Sequence, residues 1–258
     1  MKKSLEILIW IAVSVALIFL LSFAEANHRQ TICNDICISI DCNETDTLIR
    51  PGKILGAITR NCDTIIGKPI HTINIRAVGS SLSKFPCIAN CNTYTDMEGR
   101  LNVHIKQRKP VMRIITKDQK SYYVDGKGIV FPADTQGAAR VMIINGNIPA
   151  ISIPAGTFVS MDSLAPQRTF QAIREVAGEI MNRELLKALI EQIYITNNNE
   201  FEFIPKIGRQ VIEFGLPERT EQKLDYLVAF YREGIPKAGW NTYKTINLTY
   251  NHQIVCSK

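Results

Sequence analysis

The sequence lacks most of what an enzyme or a nucleic-acid binder would announce. No dense Lys/Arg run marks a nucleic-acid arm, although 30 basic residues against 24 acidic ones leave a net charge of +6. The basic residues are scattered over a mildly positive surface, with attraction to an anionic membrane or polymer as the alternative. No Gly-rich phosphate loop and no nucleophile elbow is present. The four histidines (His28, His71, His104, His252) are dispersed. No CxxC-type pair with matching partners proposes a zinc site. After the amino terminus there is no second long apolar run, so the chain is not polytopic. No stretch is biased enough in composition to form a disordered tail.

Cysteine is plentiful but badly spaced. Seven are present: Cys33, Cys37, Cys42, Cys62, Cys87, Cys91 and Cys256, an odd number that cannot pair completely within one chain. Cys33/Cys37 and Cys87/Cys91 are each four apart. In a straight strand their Cα atoms would be about 13 Å apart, too far for a disulfide. Buried thiols, one or two disulfides, and a metal site stay open as readings, in that order.

Residues 7 to 21 carry no charge and one polar side chain, Ser14. With Ser22, Phe23 and Ala24 the helix reaches about 27 Å, enough for a bilayer core. Ile7, Trp10, Leu17, Phe19 and Leu21 are its expected anchors. Lys2 and Lys3 put the amino terminus in the cytoplasm by the positive-inside tendency. Ala24-Glu25-Ala26 resembles a signal-peptide cleavage site. The long apolar run favours an uncleaved anchor. Either way residues 27–258 lie outside the cytoplasm.

Two folded units follow. In residues 31–109, Ile36, Ile38 and Ile40 alternate as a strand. A helix runs from Pro51 to Asn61 and a second from Ile73 to Lys84. Strands run from Ile88 to Thr95 and through Leu101, Val103 and Ile105, turning at Glu98-Gly99. That order predicts a three-stranded sheet with two helices on one face. In residues 110–258, strands are expected at Val111–Ile115, Tyr122–Val124, Gly128–Pro132, Arg140–Ile144, Ile190–Ile195, Glu200–Ile204 and Gln210–Phe214. A helical stripe occupies 168–189. Another helix opens near Pro217 and is capped by Gly234. The last strand alternates over ten residues: Ile246, Leu248, Tyr250 and Ile254 on one face, Thr245, Asn247, Thr249, Asn251 and Gln253 on the other. His252 interrupts the apolar face. The fold class is α+β, a mostly antiparallel β-domain with flanking helices following the smaller unit.

The chain resembles the FtsQ/DivIB cell-division family, in its Bacteroidetes-like branch. The resemblance rests on Gln107-Arg108-x-Pro110 after the hairpin, on Tyr122-Tyr123-Val-Asp125-x-x-Gly128 with Phe131-Pro132, and on the ending from Tyr243 to Cys256. It implies a cytoplasmic tail (1–6), a transmembrane helix (7–24), a POTRA domain (31–109) and a β-domain (110–258). It also implies a non-enzymatic inner-membrane scaffold at the division septum, without cofactors, nucleic acid or a small-molecule substrate. Its partners besides the lipid bilayer are division proteins of the FtsB/FtsL type, added as a strand beside the last one. Carried over by position, the contact residues are Tyr243, Ile246, Leu248, Tyr250, His252 and Ile254, with the 218–231 helix nearby. For Ile246, Leu248 and Ile254, core filling is the ordinary alternative.

Three other functions compete. Another POTRA-containing envelope-assembly protein would need repeated units or a barrel. A secreted hydrolase could use Ser160 or Cys87, but no matched His and carboxylate stand at recognisable positions. A sensor would normally carry more than six residues before the membrane.

Overall fold

A computed structural model describes residues 10–20, 22, 31–41, 47–61, 65–133, 137–164 and 167–258. Residues 10–20 are helical and exposed. The expected span at 7–24, with Ile7 and Leu21, extends outside the described residues. Among those described, no helix is long and apolar enough to cross a membrane. The chain divides into two compact units, Met1–Cys42 with Ile49–Gln107, and Asn43–Leu48 with Arg108–Lys258.

In the smaller unit, β1 (Asp35–Asp41), β2 (Ile88–Thr95) and β3 (Arg100–Gln107) form a sheet in the order β1-β3-β2. β1 runs parallel to β3 and β2 antiparallel. Helices α1 (Pro51–Asn61) and α2 (Ile75–Leu82) complete the unit. The period of two decides which face they cover. Leu101, Val103 and Ile105 of β3 are buried with Ile54, Ile58, Val78 and Leu82 from the helices, while Asn102, His104 and Lys106 face away. Each fully buried aliphatic chain contributes about 1.5–3 kcal/mol. Asn74 caps α2 by accepting the Ala77 N–H at 3.0 Å. Helix α2 is shorter than the expected 73–84, because the Asn74 cap starts it at Ile75 and it ends at Leu82, before Ser83.

The larger unit is one ten-stranded sheet in the order β13-β12-β11-β10-β9-β7-β4-β5-β6-β8. Its strands are β4 (Pro110–Ile115), β5 (Ser121–Asp125), β6 (Ile129–Pro132), β7 (Met142–Gly146), β8 (Val159–Ser160), β9 (Ile190–Ile195), β10 (Phe201–Pro205), β11 (Val211–Gly215), β12 (Thr245–Asn247) and β13 (Val255–Ser257). Most neighbours pair antiparallel, with β4·β7, β7·β9 and β11·β12 parallel. The connections between parallel neighbours are long, as parallel pairing requires.

Helices α3 (Met161–Leu164), α4 (Arg168–Met181), α5 (Glu184–Leu189) and α6 (Thr220–Ala229) accompany the sheet. Helix α4 buries Phe170, Ile173, Val176, Ala177 and Ile180, the apolar stripe at helical spacing. The expected single helix over 168–189 is two, broken at Asn182 and Arg183. Arg183 has extended backbone, and its guanidinium crosses to Asp225 at 2.8 Å.

Helix α6 also differs from expectation. It starts at Thr220, with Arg219 left-handed at φ 54°, and not at Pro217. It is not capped by Gly234. A π turn, Phe230–Gly234, carries it into α7 (Ile235–Ala238), which ends at Gly239 with φ 94°. Pro236 explains the wide turn: it has no N–H to give and its ring would crowd the carbonyl four residues back.

Candidate functional site

The carboxyl terminus is where the sequence pattern and the backbone part company. The expected ten-residue strand is two three-residue strands joined by a turn. β12 pairs parallel with β11 and antiparallel with β13, with Thr245 opposite Ser257, Ile246 opposite Cys256 and Asn247 opposite Val255. The cause is local. Asn247 Oδ1 accepts the Thr249 N–H at 2.8 Å and the Thr249 hydroxyl at 2.6 Å, an Asx-type turn that competes with the ladder. His252 then takes φ 59°, a left-handed geometry that turns the chain back. The strand at the edge of the sheet is therefore Val255–Ser257, and β12 is covered by it.

This rearrangement sorts the six expected contact residues. Ile246 and Leu248 are 0% and 2% exposed and belong to the core. Ile254 is half-buried against that core, as is Tyr243, whose ring lies 6.1 Å from that of Phe230. Tyr250, 52% exposed, stands out at the turn. His252 is exposed and shares a hydrogen bond of 3.2 Å with the Tyr226 hydroxyl. Gln222 in turn donates to that hydroxyl at 3.0 Å. Val255, 42% exposed, lies on the edge strand.

Between the turn and α6 runs a groove of about 420 Å³, lined by Tyr226, Phe230, Glu233, Lys237, His252 and Ile254. The helical side carries Glu233 and Lys237 beside Phe230, and the facing turn contributes His252 and Ile254. Behind it the Lys223 ammonium is buried and donates to the carbonyls of Phe214 at 2.9 Å and Leu216 at 2.8 Å. Burial pushes its pKa down. Gly215, with φ 76°, lets Thr249 come close: a Cβ there would meet the Thr249 methyl at 2.7 Å. Helix, turn and edge strand thus form one surface, held from beneath by a buried amine and a glycine contact.

Nothing comparable surrounds the residues weighed for catalysis. Ser160 Oγ accepts the Asp162 N–H at 3.2 Å within a tight turn. Cys33, Cys37, Cys91 and Cys256 are free thiols, while Cys42 and Cys62 lie outside the described residues. Among the described residues, no group of three His, Cys, Asp or Glu could hold a metal ion.

At the start of the larger unit, Arg108 Nη1 donates to Asp125 Oδ2 at 3.0 Å, with both side chains about nine-tenths buried. The other oxygen, Asp125 Oδ1, accepts the N–H groups of Lys127 and Ile129, each at 2.9 Å. These are the Arg108 and Asp125 of the two quoted motifs, and the structure brings them into one contact. Residues 109–257, more than half of the chain, match the family model described as FtsQ/DivIB, C-terminal related. The chain belongs to the FtsQ/DivIB family. Residues 31–106 match the model of a POTRA-like domain. No curated protein matches the chain. An FtsQ/DivIB-family chain with a POTRA-like domain is a cell-division protein, and the family is one of scaffolds rather than enzymes.

For this FtsQ/DivIB chain, sequence reasoning missed the edge strand Val255–Ser257 and the groove residues Glu233 and Lys237. One signal was available. His252 breaks the apolar alternation, and the break marks the turn.

Proposed function

We propose that this protein is a non-enzymatic divisome scaffold, anchored in the cytoplasmic membrane by residues 7–24 and acting at the septum through its extracytoplasmic bulk. Residues 1–6 are the cytoplasmic tail, 31–109 the POTRA domain and 110–258 the β-domain. Support for the anchor comes from residues 10–20, a helix on which Trp10, Leu17 and Phe19 are all exposed. Apolar side chains standing free of the protein in this way suit a lipid surroundings.

The observation that carries the partner reading is the edge strand β13. No strand pairs with its outer side among the described residues. An unpaired edge offers main-chain N–H and C=O groups to an incoming strand. The groove beside it offers pockets for that strand's side chains. On this reading, partners of the FtsB/FtsL type add a strand at Val255–Ser257 and contact Tyr250, His252 and Ile254, with Tyr243 at the border. Ile246 and Leu248 support the site from the core.

The test is a Tyr250→Glu variant of the full chain, assayed by co-purification with its division partners. Recovery falls about ten-fold or more, the scale of an interface anchor, with an unchanged melting temperature. Full recovery of partners by the variant would sink the reading.

A further inference from the structure

A second hollow lies in the other half of the ten-stranded sheet. It has a volume of about 500 Å³ and lies among α4, α3 and the strands β4 and β5. Its buried lining includes Met112, Val124 and Met161, with Met181 half-buried; Lys127, Asp162 and Arg174 are its exposed charges.

Gly178 lines this hollow from inside α4. Its backbone is ordinary helix, and a Cβ added there meets no atom within 4 Å. Glycine weakens a helix relative to alanine. Neither a positive φ nor a close approach requires it here. The effect of the missing side chain is open space on the cavity side of the helix.

The rest of the lining suits an incoming apolar group. Three methionines are flexible and polarisable, and they adapt to the shape of what enters. At the rim Arg174 pairs with Asp162, both more than half exposed. Such a surface pair is weak and can be exchanged. Lys127 adds a second positive charge. Asp125, the other acid in the lining, is already engaged by Arg108 and two N–H groups. Two cations therefore face one carboxylate.

The geometry points to a second protein-docking site: the hollow takes an aromatic or leucine-sized anchor from a partner polypeptide, and an acidic residue beside that anchor meets Lys127 and Arg174. Hollows of this size commonly hold such groups, and interface affinity concentrates on buried anchors. The inference rests on the scaffold reading, since only a protein that assembles others has use for a second site.

The test selects short random displayed peptides on the full chain in lipid nanodiscs. Selected peptides are then titrated into chain labelled at the methionine methyl groups. The expected peptides pair an aromatic residue or leucine with a nearby acid. They shift the methyl signals of Met112, Met161 and Met181 and leave that of Met97, in the smaller unit, unmoved. Gly178→Leu, which fills the hollow, and Lys127→Glu each weaken them about ten-fold, the loss of an anchor. Gly178→Ala serves as the folding control and melts no lower than wild type. Unmoved methionine signals, or full binding by Gly178→Leu, would overturn the inference. Peptides lost only in Tyr250→Glu would overturn it too, while leaving the hairpin reading intact. Peptides bound in the hollow alongside normal partner recovery by Tyr250→Glu would overturn the hairpin reading alone.

Discussion

The two halves of the ten-stranded sheet bury charge in different ways. Towards β5, a guanidinium meets a carboxylate: Arg108 and Asp125 are 3.0 Å apart. Asp125 is also tied to its own turn by two N–H groups. Towards β13, Lys223 donates its hydrogen bonds to two main-chain carbonyls, with the Phe214 ring 4.6 Å from its nitrogen. In the first case a full charge answers a full charge. In the second, partial charges answer one, and burial lowers the amine's pKa. The β5 end is thus locked by a pair that is costly to break. The β13 end is held by ties that cost less to rearrange, which suits the proposed addition of a strand there.

The comparison breaks first at Asp125. Asp125→Ala removes the carboxylate paired with the buried Arg108 charge and the acceptor of two N–H groups, so it should cost about 3–5 kcal/mol. Chemical unfolding of the full chain measures this, and a cost no larger than that of an exposed pair would mean the contact is not the lock described. Lys223→Met keeps the packed stem but abandons two carbonyls, for a loss of about 1–3 kcal/mol. Its pH dependence sharpens the contrast. A base whose folded pKa is lowered binds fewer protons folded than unfolded between the two values, so stability rises with pH in that window. Wild type should show this rise below the ordinary lysine pKa, and Lys223→Met should lose it. If both proteins rise equally, another group is responsible.

Smaller effects follow. Gly178→Ala should stabilise by about 0.5–1 kcal/mol, since the added methyl meets nothing; a loss of stability there would show that the glycine is needed for the fold. The least effect is at Asp96, in the β2–β3 turn of the smaller unit, partly exposed. The Arg100 N–H, with help from the Asn102 and Arg100 side chains, holds its pKa down at about 2. Its contribution is present above the ordinary carboxylate value of about 4 and is lost as pH falls towards about 2. Asp96→Asn should flatten the acid limb of the melting curve over that range, and an unchanged limb would contradict this.

The smaller unit was nearly all legible in the sequence, for a physical reason. In β3 the inward Leu101, Val103 and Ile105 are apolar and the outward residues are polar, so the period of two fixes the face. Gln107 keeps that phase, buried although polar. The same rule misled at residues 245–254, where the alternation crosses a turn. The Asn247 side chain competes with the ladder there, and its hydrogen bonds leave no mark in hydropathy; the one mark is His252, the break in the apolar face. The two-residue strand β8 and the π turn before Pro236 were also beyond periodicity, being shorter than its window. Within the candidate site, Tyr250 and His252 were singled out in the sequence as contact candidates, and both are exposed. Val255 was not, because being at an edge is a property of the sheet and not of the residue.

The most direct test of the central claim is photo-crosslinking from position 250 in the full-length tagged protein in its own membranes, with Ile246 as the buried control and mass spectrometry of the purified products. The account predicts an intact chain that retains residues 1–26, cross-linked from position 250 to small single-span division proteins and from position 246 to nothing outside itself. A chain beginning at Asn27 that captures no membrane partner from position 250 would contradict it.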